Sequence, residues 1–179
     1  LNNNSDYAIV TGCIEYIDAN GISLNTIKCH TGNNHGYVFY DFVKKNRTDS
    51  VTPLLRKEVF EKAGYFNPNF KISEDWDFWR RASYYHAFYA QNEIMAYVRI
   101  HGGNMTYKQE TIYERIMLYR KLSRELLKWG KKKFTNSEVQ LIQNCERQKY
   151  QRIISNNLDT KWKQIWFLLS ILIKHPDDG

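Results

Sequence analysis

The chain reads as α/β, more narrowly as an α+β fragment over residues 1–105 followed by a basic, mostly α-helical extension over residues 106–179. Three observations lead there. Up to residue 105, short apolar runs bounded by Gly, Asn and Pro alternate with segments of helical spacing. After residue 106, apolar residues recur every third or fourth position and the strand-like runs stop. Between these regimes stands I-S-E-D-W-D-F-W-R-R, residues 72–81, with three acids and two tryptophans at Glu74, Asp75, Trp76, Asp77 and Trp79.

Taken in order, residues 6–11 read as a strand and 13–17 as a second. Asp18-Ala19-Asn20-Gly21 forms a turn, and residues 22–29 return from it. Residues 30–36 are loop. Val38, Phe39, Phe42 and Val43 have helical spacing within 37–45, and Lys44 and Lys45 close that segment as a helix C-terminus prefers. Residues 51–55 predict a short buried strand. A helix over 56–63 stops at Gly64, a residue suited to the left-handed position past a helix end.

The central stretch predicts a loop running into a helix. Ser73 is placed to cap it, and Glu74, Asp75 and Asp77 lie in the first turn, where the helix dipole favours carboxylates. Asp75 and Trp79 share one face, so the helix can present a carboxylate to a cleft while its rings anchor it. The same pattern also describes an ordinary helix start with dipole-complementing acids. Residues 86–90 and 94–100 then read as two strands, leading to His101-Gly102-Gly103-Asn104.

Ile112, Ile116, Tyr119, Leu122 and Leu126 define a long amphipathic helix ending at Gly130. Lys131, Lys132 and Lys133 form a basic linker, and Thr135-Asn136-Ser137-Glu138 opens a second helix to about residue 155. Residues 161–174 predict a third, with W-F-L-L-S-I-L-I apolar all round. That run falls short of the roughly 20 residues a membrane span requires, so it is either buried or seated in a membrane interface.

Composition narrows the function classes. With 42% apolar and 25% charged residues the chain has the balance of a folded domain, which argues against disorder. Residues 1–105 carry 11 Lys/Arg against 11 Asp/Glu, and residues 106–179 carry 15 against 8, so the net charge of +7 lies wholly in the extension. That suits an anionic partner such as a phospholipid surface or a polyanion, and equally describes a solvated helix face; no nucleic-acid motif accompanies it, and nucleic acid is not expected. Cys13, Cys29 and Cys145 are scattered and outside any C-x-x-C pattern, which predicts neither a disulfide framework nor a zinc site and favours a reducing compartment. Residues 1–4 show no secretory leader and no initiator Met, so the chain is expected to be a piece of a longer protein. N-x-(S/T) sequons stand at Asn3, Asn46 and Asn104.

Three ordered motifs carry a resemblance. Arg56 to Phe66 reads R-K-E-V-F-E-K-A-G-Y-F, Glu74 to Trp79 reads E-D-W-D-F-W, and Tyr97 to Asn104 reads Y-V-R-I-H-G-G-N. In this order and at these distances they resemble the second half of family 2 glycosyltransferases, which have the GT-A fold. The resemblance covers roughly residues 7–105 and implies an inverting transferase, with Asp75 as general base and Glu74 orienting the acceptor or supporting the loop. Trp76, Asp77 and Trp79 would line the substrate side. Arg99 and His101 would lie near the nucleotide diphosphate, with His101 also a candidate metal ligand; residue types alone leave Arg99 a surface ion pair and His101 an ordinary loop histidine. Phe66 is expected to pack under the catalytic loop.

The resemblance further implies a nucleotide-sugar donor, a glycan or lipid-linked acceptor, and Mn or Mg in the full-length enzyme. It points to polysaccharide biosynthesis at a bacterial cell envelope, with the protein cytoplasmic and peripheral at the inner membrane face. The family's D-x-D lies upstream of these motifs and is not found at the N-terminal edge here. This stretch is therefore expected to hold the acceptor-side half, without bound cofactor and inactive alone, with self-association through exposed sheet edge. Two other readings stand beside it: a non-enzymatic basic module binding a membrane or polyanion, and a hydrolase with paired acids, whose second carboxylate would be Glu74 or Asp77.

Overall fold

In the computed structural model the described residues are Leu1, 5–29, 35–101, 111–158, 163–164 and 166–167. The chain divides into two compact units, Leu1–Lys108 and Gln109–Gly179.

The first unit is built on strand β1 (Ile9–Ile17), which pairs with every other strand described. β2 (Ser23–Lys28) and β3 (Leu54–Leu55) both run antiparallel to it, while β4 (Phe88–Arg99) runs parallel along its length. The sheet is therefore mixed, and the unit is α+β. The hairpin between β1 and β2 forms where its sequence predicts. Asp18 Oδ1 accepts from the backbone N–H of Asn20 and Ile22, both at 2.8 Å, and Gly21 takes φ +91°.

Two apparent strand breaks turn out to be one irregular stretch of the β1–β4 pair, with register shifts between Thr11 and Cys13 and between Cys13 and Ile14. Residues 6–11 and 13–17 were expected as separate strands, as were 86–90 and 94–100, yet each pair forms a single strand. Thr11 is opposite Ala90 and Cys13 is opposite Ile94, so β4 takes four residues where β1 takes two. The polar run Gln91-Asn92-Glu93 is the bulge that absorbs this excess, and it closes over Gly12.

The cysteine expectation is overturned. Ile14 is opposite Lys28, which sets Cys13 against Cys29 across the β1–β2 pair, and the two form a disulfide with Cα atoms 4.2 Å apart. Spacing in sequence could not show this, because strand register brings the two sulfurs together. The inference of a reducing compartment thereby loses its premise.

Helix α1 (Phe39–Lys44) buries Phe39, Phe42 and Val43, and α2 (Glu58–Ala63) buries Val59 and Ala63. Gly64 follows α2 at φ +78°, as its sequence position predicts. The buried strand expected over 51–55 is reduced to two residues; Val51 and Leu54 are exposed and Thr52 is buried in their place.

Helix α3 (Glu74–Tyr85) is the keystone of this unit. Trp76, Phe78, Trp79 and Ala82 are all buried; Phe78 packs on Trp79, and the Trp79 ring meets Phe88 of β4 edge-on. Phe42 of α1 touches Phe88 with centroids 4.9 Å apart. Each fully buried ring contributes about 1.5–3 kcal/mol, which fixes the helix firmly against the sheet. Phe66 stacks on Phe78 at 4.5 Å while remaining exposed to solvent on its other side.

In the second unit, α4 (Ile112–Gly130) and α5 (Asn136–Asn157) each open with the same device. Thr111 and Thr135 accept from the N–H of Glu114 and Glu138, whose carboxylates return the bond to the cap residues. Ile116, Ile153 and Ile154 form a core against which Tyr119, Tyr150 and Phe167 pack. Of the third helical segment over 161–174, residues 163–164 and 166–167 are described and are helical; the rest lies outside the described residues. Among the described residues, no helix is long and apolar enough to cross a membrane.

Candidate functional site

The site is the N-terminal turn of α3 and the loop of residues 46–52 that lies against it. Ser73, immediately before α3, takes φ +61°, and its side chain makes no cap hydrogen bond, so the expected Ser73 cap is not formed. Ser73 thus sits in the left-handed region, which is uncommon for a residue other than glycine.

Asp75 is half-buried, with Oδ1 accepting the backbone N–H of Trp76 at 2.7 Å and Oδ2 accepting Asn46 Nδ2 at 3.2 Å. Burial pushes its carboxyl above the ordinary aspartate range; the bonds from Trp76 and Asn46 pull it part of the way back, and the charges of Glu74 and Asp49 push it up again. Side chains in the first turn lean toward the helix N-terminus, so Asp75 points over the end of α3 while Trp79 descends into the core.

Loop 46–52 is fastened from three directions. Arg47 pairs with Asp41 of α1 at 3.4 Å, and Asp49 pairs with Lys28 of β2 at 2.8 Å. Beneath it, the buried hydroxyls of Thr48 and Thr52 meet Thr11 of β1 at 2.6 and 2.9 Å. These are the residues that sequence reasoning missed. Asn46-Arg47-Thr48 stood out only as a sequon, and the nitrogen a glycan would modify is the one bonded to Asp75. The sequons at Asn3 and Asn104 lie outside the described residues.

Glu74 and Asp75 stand together in the first turn of α3, both partly exposed; the other expected site residues are placed differently. Asp77 is buried and paired with Arg80 at 3.8 Å and Arg81 at 2.9 Å. Trp76 is buried, its indole N–H donating to Phe42 O at 2.7 Å, and Trp79 is only 2% exposed. These three side chains hold α3 in the core, which corrects the expectation that they face a substrate. It also removes Asp77 as the second carboxylate of a hydrolase pair.

Arg99 donates from Nη1 to the carbonyls of Asp18 and Ala19, at 3.1 and 2.8 Å, securing the hairpin turn. His101 is exposed, and Gly102, Gly103 and Asn104 lie outside the described residues. Among the described residues no three of His, Cys, Asp or Glu come together in a way that holds a metal ion. The described residues thus do not by themselves assemble the donor set of a divalent metal.

No protein-family model matches the chain, and no curated protein matches it.

Proposed function

We propose that this chain is the acceptor-side portion of an inverting GT-A glycosyltransferase of family 2, acting between a nucleotide-diphosphate sugar and a glycan or lipid-linked acceptor. The observation that carries the reading is Asp75: a half-buried carboxylate of raised proton affinity, aimed off the start of α3 by two hydrogen bonds. A base must hold the proton it takes, and a carboxylate moved up toward working pH does so better than an ordinary aspartate. In the step, the acceptor hydroxyl oxygen forms a bond to the anomeric carbon as its proton passes to Asp75. The bond from that carbon to the diphosphate oxygen breaks, and the electron pair leaves with the nucleotide diphosphate. Burial is the main reason that Asp75 is basic, and Glu74, whose charge adds a smaller push in the same direction, orients the acceptor or supports the loop.

The test is turnover of the intact protein, wild type against Asp75→Asn, across a panel of nucleotide sugars with Mn²⁺ or Mg²⁺. The expected result is a fall of about a hundredfold or more with donor binding retained. Unchanged turnover would overturn the reading.

The basic helical unit supports a second proposal, peripheral contact with an anionic membrane face, as a transferase with a lipid-linked acceptor would need. Lys131, Lys132 and Lys133 are all exposed at the turn between α4 and α5, and Lys133 lies over the Trp129 ring at 4.3 Å. This same feature is the basis for the non-enzymatic alternative, a membrane or polyanion-binding module. Co-sedimentation with phosphatidylglycerol vesicles, lost on replacing the three lysines by Gln, would support contact; activity unaffected by Asp75→Asn would favour the module alone. Nucleic acid is not proposed as a partner. Self-association through the wholly exposed strand β2 completes the proposal.

A further inference from the structure

We infer that Asn46 is a positioning residue for Asp75, its side-chain amide fixing the carboxylate in the orientation from which it takes the acceptor proton. The inference rests on the transferase reading above.

A carboxylate on a helix start swings about its side-chain torsions unless both oxygens are held. Here Trp76 N–H holds Oδ1 from within α3, which restrains one oxygen only. Asn46 Nδ2 holds Oδ2 from a different element, so the two bonds together define the plane of the carboxylate. Asn46 is itself immobilised. It follows the end of α1, where Lys45 N–H donates to Asp41 O at 2.9 Å, and precedes Arg47, Thr48 and Asp49, each tied to a different element.

The amide also carries a cost that packing alone does not explain. Asn46 Oδ1 is buried and has no hydrogen-bond partner among the described residues. An unsatisfied buried acceptor is destabilising, and an apolar residue of similar size would avoid that cost. What an apolar residue cannot do is donate to Asp75. A neutral donor also steers the carboxylate without ion-pairing it, as Lys or Arg would; a cation there would hold the carboxyl low and spoil it as a base.

The experiment compares Asn46→Ala, Asn46→Asp and Asp75→Asn in the intact protein, with pH–rate profiles and with the Asp75 carboxyl followed by ¹³C NMR. For Asn46→Ala the expected result is a fall in kcat on the order of tenfold with little change in donor KM. The acid limb of the profile and the NMR titration of Asp75 should both move to higher pH. Asn46→Asp keeps the size of the side chain and replaces the donor by an acceptor, so it should shift both further the same way; it carries the prediction if the alanine variant does not fold. If Asp75→Asn abolishes turnover while both Asn46 variants keep the wild-type kcat and profile, the positioning role is overturned and the base survives. If Asp75→Asn remains active, the transferase reading falls and takes the inference with it.

Discussion

Asp77 and Arg81 stand one turn apart on α3, and Arg81 donates to Asp77 Oδ2 from Nε at 3.3 Å and from Nη2 at 2.9 Å. The same guanidinium donates to the carbonyls of Ala63 and Tyr65, which brackets the backbone around Gly64. One buried ion pair thus joins the helix that bears Asp75 to the end of α2. Removing a single partner leaves a buried charge uncompensated. Asp77→Ala is therefore expected to lower stability by about 3–5 kcal/mol, read as a fall in the denaturant midpoint. Asp77→Ala combined with Arg81→Met should cost less than the sum of the two single changes.

What could be read in the sequence was local. The hairpin turn at Asp18, Gly64 after α2 and the Thr-x-x-Glu start of α5 each depend on residues within four positions of one another. Asn46 against Asp75 spans 29 positions and Cys13 against Cys29 spans 16. Strand register and loop path decide both, and neither is written in composition or periodicity. The tryptophans of the E-D-W-D stretch were legible as helical and as rings able to anchor the helix, while the resemblance set them on the substrate side; contacts with β4 and α1 decide that both lie in the core.

Gly12 tests the bulge. A Cβ built there would stand 2.7 Å from Met95 Cγ and Sδ and 2.9 Å from Glu93 O. The Met95 side chain can move aside, whereas the carbonyl belongs to the bulged backbone of β4. Gly12→Ala is expected to destabilise by about 1–3 kcal/mol and to increase amide hydrogen exchange in β4 around residues 93–95. A neutral substitution would mean that β4 does not close over β1 at this point.

The disulfide makes a separate prediction. Cys13 and Cys29 close a loop with a sequence separation of 16. Cross-linking a loop of that size restricts the unfolded chain by about 3 kcal/mol. Replacing both cysteines by Ala should lower stability by roughly that amount, and reductant should lower wild-type stability while leaving the double variant unchanged. Because Lys28 precedes Cys29 and pairs with Asp49, loss of the cross-link should also loosen loop 46–52, visible as faster exchange of its amides.

The last prediction turns on the direction in which burial moves Asp75. Its carboxyl binds a proton more readily in the folded chain than in the unfolded one, chiefly through loss of solvation. The folded state therefore holds more protons wherever pH lies between the unfolded and folded values, and stability falls as pH rises through that window. Below the ordinary aspartate range the group is neutral in both states and the penalty is absent. Asp75→Asn removes the charge at every pH while keeping the shape, so the variant should be more stable than wild type at neutral pH. That advantage should shrink as the pH is lowered through the carboxylate range. The measurement is the difference in unfolding free energy between the two proteins across a pH series. A group that is stabilising when ionised would give the opposite slope, and that outcome would remove the argument that Asp75 is held as a base at the expense of the fold.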